Sequence, residues 1–221
     1  MGQLSRNAVA QKSPQAGQDL SKFPTVPADL DPANPSVAAP KFRAHSAANG
    51  PWWFSSDGSG RFDLRPPYGA CYFADDVDTA VRERLADLII DMQPISAEKA
   101  AQMAVATITP DTPAAYANIV DGQAARFGVI RELCTMVQSP VPNDWAASFH
   151  IAGFDGVRYS SRFTSAAGPN SWAMFGPAGL DAVRNAGPIP TMSGEDACAL
   201  AGVVVRPAAP TVRVFRVVAS K

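Results

Sequence analysis

The chain has little of what most recognisable sites are built from. Its three cysteines, Cys71, Cys134 and Cys198, and its two histidines, His45 and His150, stand singly along 221 residues. With no CxxC pair and no His/Cys cluster, neither a disulfide framework nor a thiolate–imidazole metal site is indicated, and a reducing cytoplasm is the expected setting. Charge of one sign is missing as well. Nineteen basic residues face twenty acidic ones for a net charge of −1, which denies the chain the footprint of sequence-independent nucleic-acid binding. No run approaches the roughly 20 apolar residues that a bilayer span needs. The opening MGQLSRNAVAQKSPQAG has no apolar stretch of the kind a secretory leader carries, and Arg6 stands where an N-terminal acylation pattern requires Ser or Thr. P-loop, HExxH and GxSxG signatures are absent, and no GxGxxG follows a strand.

What is present suits a globular domain: 47% hydrophobic and 18% charged residues can bury one full core without staples. Residues 1–40 differ in texture. They hold Pro14, Pro24, Pro27, Pro32, Pro35 and Pro40, a density that forbids a long helix or a central strand. This segment is either a free tail or an extended arm pinned through Phe23, Val26 and Leu30. Pro40 is expected to mark the boundary, with the chemistry residing wholly in residues 41–221.

From Lys41 onward the elements alternate. KFRAH, ACYFAD, VATITP, GVRYSSR and SWAMFG read as strands, and VVVRP and TVRVFRVVA as closing strands. Helices are predicted for DDVDTAVRERLADLIIDM, capped by Asp75 or Asp76 and closed by Pro94, and for SAEKAAQM, DGQAARFGVIRELCTMV, VPNDWAASFHIAG and EDACALAG. PWWFSSDGSGRFD is a loop, with Gly58 and Gly60 supplying permissive backbone. Strands and helices mix without a regular βαβ alternation, which predicts an α+β fold.

One stretch concentrates unusual residues. Arg43 and Tyr72 lie inside apolar strands, where an arginine is costly unless it meets an anion. Arg61 follows the glycine-rich turn, and Glu83 sits on a helix whose apolar face should look inward. Each has a plainer reading: a structural ion pair for Arg43, a solvated loop charge for Arg61, core packing for Tyr72, a solvated helix face for Glu83. His45 shares the strand face of Arg43 but is expected to be a satisfied structural histidine. Trp52 and Trp53 are suited either to stacking at a pocket or to the core.

FRAH, GRFD, ACYFAD, the step Ala80-Val81-Arg82-Glu83 and GVRYSSR, in that order over residues 41–218, resemble the RES domain family. The resemblance implies a mixed-sheet core like that of ADP-ribosyltransferases of the diphtheria-toxin type. It also implies an enzyme that consumes NAD⁺, typically a toxin neutralised by an Xre-like helix-turn-helix antitoxin. Carried over by motif, the family's strand arginine falls on Arg43, its loop arginine on Arg61, its strand tyrosine on Tyr72, its helix glutamate on Glu83 and its serine on Ser161. Ser160 is an adjacent alternative. No metal, nucleic acid or membrane partner is expected.

These residue types suit the reaction. Nicotinamide in NAD⁺ is already a cationic leaving group, so its departure needs no general acid, and one carboxylate can stabilise the oxocarbenium-like ribose. Arginines match the pyrophosphate, a tyrosine ring can stack on nicotinamide, and a serine hydroxyl can orient a ribose or amide group. Glu83, Arg43 and Tyr72 are the catalytic candidates; Arg43, Arg61, Tyr72 and Ser161 are the candidates for holding NAD⁺. Hydrolysis, phosphorolysis and transfer to a macromolecule share this first step.

Overall fold

Alternation of burial along KFRAHS shows why this segment is a strand: Lys41, Arg43 and His45 are buried on one side, while Phe42 and Ala44 pack under a helix on the other. The computed structural model describes residues 10–27, 30–31, 34–91, 93–111, 114–136, 140–164 and 170–207. The first half of the chain runs β1 (Thr25–Pro27), β2 (Leu30–Asp31), β3 (Asn34–Ala38), β4 (Lys41–Ser46), β5 (Trp53–Phe54), β6 (Tyr68–Ala74), α1 (Val77–Leu85), α2 (Asp87–Ile90), β7 (Ile95–Ser96), α3 (Ala97–Ala101) and β8 (Met103–Ile108). The second half adds β9 (Ala115–Asn118), α4 (Pro140–Ile151), β10 (Gly156–Ser160), β11 (Asn170–Pro177), β12 (Gly179–Leu180), β13 (Thr191–Ser193), α5 (Gly194–Leu200) and β14 (Val205–Arg206). The expected strand TVRVFRVVA lies outside the described residues.

Eight strands form the main sheet in the order β1-β9-β10-β11-β6-β4-β8-β13. Only β9 and β10 pair in parallel; the other neighbours are antiparallel. This mixed sheet with flanking helices is the α+β architecture expected from the element pattern. Its two faces carry different cores. Ala70 and Tyr72 of β6 join Phe62, Trp145, Phe149, Val157 and Tyr159 on one face, and Cys71 and Phe73 join Trp52, Phe54, Trp172 and Met174 on the other. A third cluster packs Val81 and Leu85 of α1 against Val105, Ala197 and Cys198. All three cysteines are buried and free, behaving as small hydrophobes.

Two helix expectations need correction. The helix after β6 is capped by Asp76, which accepts from the Thr79 amide at 2.7 Å, but it stops at Leu85, well before Pro94. Ala86 adopts φ +43°, an uncommon conformation for a residue with a Cβ, and turns the chain into the separate short α2. The predicted helix DGQAARFGVIRELCTMV is instead two 3₁₀ turns, Gly122–Phe127 and Arg131–Cys134. Gly128 at φ +82° separates them, a left-handed step that no α-helix continues through.

Residues 10–27 lie on the domain as an arm. Leu20 and Phe23 are each 3% exposed within the core cluster that contains Trp145 and Tyr159. The Phe23 ring meets Phe127, Phe149 and Phe154 at centroid distances of 5.1, 4.8 and 6.2 Å. Val26 packs on the opposite core and sits in β1, the edge strand paired with β9. The side chain of Leu30 is outside the described residues.

Candidate active site

The glycine-rich loop is organised by a buried carboxylate. Asp63 is 2% exposed, and its Oδ2 accepts from Ser55 Oγ at 3.0 Å, the Gly60 amide at 3.0 Å and the Gly58 amide at 3.2 Å. Its Oδ1 accepts from the Tyr72 hydroxyl at 2.8 Å, and that hydroxyl accepts in turn from the Phe62 amide at 2.9 Å. Burial pushes the Asp63 carboxyl above its usual range against the pull of these bonds, and pushes the Tyr72 phenol well up. Asn143 of α4 fastens the same loop by donating to the carbonyls of Gly60 and Asp63, both at 3.1 Å. Gly60 has no substitute here, because a Cβ would lie 2.3 Å from Asp63 Oδ1 and 2.5 Å from Tyr72 Oη. With Phe62 anchored in the core at 0% exposure, the loop presents Arg61 above it.

Arg61 lies over the ring of Tyr159, 5.3 Å from guanidinium carbon to centroid. Its Nε donates to the Met136 carbonyl at 3.4 Å, while Nη1 is buried with no partner. Glu83 comes to the same place from α1. It stands four residues after buried Thr79 and three after buried Ala80, so it shares their inward side of the helix. Arg82 stands apart, paired with Asp78 at 2.7 Å. Glu83 Oε1 is also buried without a partner.

The charges of Glu83 and Arg61 act on the same two groups. Burial pushes the Tyr159 phenol up, Glu83 pushes it further and Arg61 opposes. The Cys134 thiol is likewise raised by burial, with Arg61 opposing and Glu83 adding. Yet among the described residues Arg61 and Glu83 form no ion pair with each other. A buried carboxylate oxygen and a buried guanidinium N–H, both unpaired in one neighbourhood, are polar groups awaiting a cation and an acceptor.

Ser161 follows the alternation Val157, Tyr159, Ser161, all buried, whereas Ser160 is exposed. That places Ser161 on the Tyr159 face and distinguishes it from Ser160. Its Oγ accepts from the Phe163 amide at 3.2 Å. Ser171, 1% exposed, is paired in register with Tyr159. Asp63, Tyr159 and Ser171 escaped sequence reasoning, although Asp63 closes GRFD and Tyr159 opens YSSR.

Arg43 is placed differently. It is 7% exposed and belongs to the other side of β4 from Phe42 and Ala44. Nη1 donates to the Tyr72 carbonyl at 2.8 Å and Nη2 to the Trp53 carbonyl at 2.6 Å. The β4–β6 register consists of Phe42↔Ala74 alone, and beyond it the guanidinium ties β4 to β6 and β5. Arg43 thus neighbours the site through the backbone of Tyr72, with Nε still unpartnered. His45 Nδ1 donates to the Ser46 carbonyl at 2.9 Å, but Nε2 is buried and unpartnered, so it is only half satisfied. Trp52 is buried beneath Arg184, and Trp53 is partly exposed.

The RES domain sequence profile matches residues 39–193, which contain every one of these side chains, and the chain belongs to the RES domain family. The fold is similar to a chain in the crystal structure of the M. tuberculosis MbcT–MbcA toxin–antitoxin complex. That likeness has a TM-score of 0.50 at 17% identity and covers 74% of this chain and 89% of that one. A search of curated proteins by sequence returns no match.

Proposed function

We propose that this RES domain is an enzyme that breaks the bond between nicotinamide and ribose in NAD⁺, and that it serves as the toxin of a toxin–antitoxin pair. The observation that carries the reading is that Glu83 Oε1 and Arg61 Nη1 are both buried and unpaired while their charges act on the same two side chains, Tyr159 and Cys134. NAD⁺ has the complementary charges: a cationic nicotinamide-ribose and an anionic pyrophosphate. Arg61 takes a phosphate oxygen by a charge-assisted bond. Glu83 faces the ribose carbon as the C–N bond breaks and its electron pair leaves with neutral nicotinamide. The Tyr72 ring stacks on nicotinamide, and Ser161 orients a ribose or amide group. Arg43 serves from behind, setting the backbone of Tyr72, and reaches a phosphate through its free Nε.

An oxygen nucleophile then closes the ribose carbon: water, phosphate or a group on a macromolecule. The first two deplete NAD⁺ and are preferred, and protein ADP-ribosylation is the alternative. The chain of similar fold comes from a toxin–antitoxin complex; by analogy a small helix-turn-helix antitoxin of Xre type is proposed here.

The test is to incubate the protein with NAD⁺ and assay free nicotinamide. Glu83→Gln should bind NAD⁺ nearly as well and turn over about a hundredfold more slowly or less, since the charge acts on the developing cation. A Gln variant keeping more than about a tenth of the rate removes Glu83 from this role. A wild-type protein that binds NAD⁺ without releasing nicotinamide is a binding module instead. Separating ADP-ribose, its phosphorylated form and labelled protein identifies the acceptor.

A further inference from the structure

The turn Arg131–Cys134 and the residues just after it form one wall of the site. The Met136 carbonyl accepts from Arg61 Nε at 3.4 Å, and the Thr135 carbonyl accepts from Arg162 Nη1 at 3.4 Å. This wall therefore touches both the loop arginine and Arg162, the neighbour of Ser161 just past β10. It has no regular helix to stiffen it, being a short 3₁₀ turn entered from an extended Ile130 with no side-chain cap.

Its support comes from far away in sequence. Gln11 is 5% exposed, and its side-chain amide spans the chain on either side of Val129. Oε1 accepts from the Ile130 amide at 2.8 Å, and Nε2 donates to the Gly128 carbonyl at 3.1 Å. The Gln11 backbone amide donates to Glu132 Oε2 at 2.6 Å. The next residue is pinned in turn, the Lys12 carbonyl accepting from Trp145 Nε1 at 2.8 Å. Gln11 thus holds the entry to the 131–134 turn from both sides of Val129, and Trp145 ties the arm to α4, whose Asn143 holds the Arg61 loop.

We propose that Gln11 is a positioning residue for Arg61: it fixes the wall whose carbonyl at Met136 aims the guanidinium. The arm lies outside residues 39–193 that match the family profile, so this chain adds a part to the site that the motif alone does not contain. In its catalytic consequence the proposal rests on the NAD⁺ reading above; in its structural consequence it does not.

The test compares full-length wild type with Gln11→Ala and Gln11→Met, the second keeping length and packing but none of the side-chain bonds. Ser13→Ala serves as control, since it removes only the exposed arm contact from Ser13 to Asp144 at 2.6 Å. Native-state hydrogen exchange should show the amides of Leu133, Thr135 and Met136 opening about tenfold faster or more in both Gln11 variants, with β6 and β10 unchanged. KM for NAD⁺ should rise about 5- to 20-fold with kcat within about twofold, because Arg61 grips ground state and transition state alike. Ser13→Ala should do neither. Unchanged exchange in Gln11→Met overturns the clamp, and faster exchange with unchanged KM overturns its link to Arg61. If wild type neither binds nor cleaves NAD⁺, the proposed function and the link to substrate fail together, while exchange still decides the clamp.

Discussion

The Tyr72 hydroxyl donates to Asp63 Oδ1 at 2.8 Å, and through this bond a central strand of the sheet holds the loop that carries Arg61. Tyr72→Phe keeps the ring and removes the tie. It leaves Asp63 Oδ1 and the Phe62 amide short of a partner, and an unsatisfied buried polar group costs about 1–3 kcal/mol. Chemical denaturation should show a loss of that size. The affinity for NAD⁺ should fall too, because the loop positions Arg61. A variant as stable as wild type, with unchanged affinity, would show that Asn143 and the remaining bonds of Asp63 suffice to hold the loop.

Arg43 separates a structural role from a binding one. Arg43→Ala leaves the carbonyls of Tyr72 and Trp53 without their donor, and a hydrogen bond to a charged group contributes roughly 1.5–3 kcal/mol. A lower denaturation midpoint is therefore expected. Calorimetric titration of the folded variant should also show weaker NAD⁺ binding if Nε reaches a phosphate. Unchanged affinity would leave Arg43 as the tie between β4 and β6 and take it out of the substrate site.

His45 gives a pH dependence with a definite sign. Burial lowers its pKa below the usual 6.5; the Ser46 carbonyl opposes this, and the charges of Arg43 and Arg84 add to it. The native protein therefore keeps His45 neutral where the unfolded chain is taking up a proton. Its contribution is fully present above about pH 6.5 and is lost as pH falls from there through the lowered native pKa. Thermal unfolding at about pH 7.5 and about pH 5.5 should show wild type losing more stability than His45→Phe over that interval. Equal losses would mean that other groups control the acid limb.

Local pattern made much of this fold legible, and non-local contacts account for what was not. Strands such as Lys41–Ser46 and Tyr68–Ala74 announce themselves by composition, and α1 by its cap and apolar spacing. Arg61 and Glu83 could be picked out because the order of their motifs is distinctive. Asp63 could not, since a carboxylate in a glycine-rich loop reads as solvated until the loop closes on Tyr72. The apolar spacing of Ala124, Phe127, Leu133 and Cys134 imitates a helix, and only the left-handed backbone at Gly128 reveals two turns. Prolines correctly denied the arm regular helix, but nothing near Phe23 in sequence names the three distant phenylalanines that bury it.

That burial changes what truncation should do. A chain beginning at Lys41 would retain every family motif residue, and on sequence grounds it should fold and act at close to the full-length rate. In the structure it would lose Leu20 and Phe23 from the core and β1 from the edge of the sheet. Emptying the Phe23 site alone, as in Phe23→Ala, should cost about 3–5 kcal/mol. Domains of this size have only about 5–15 kcal/mol of stability in total, so removing the whole arm should leave no cooperative unfolding transition at ordinary temperature. Phe23→Ala in the full chain should still fold, with a midpoint lowered in proportion. A truncated chain that unfolds cooperatively at the wild-type midpoint would show that the Phe23 site closes over without its occupant, and that the arm only rests on a core complete without it.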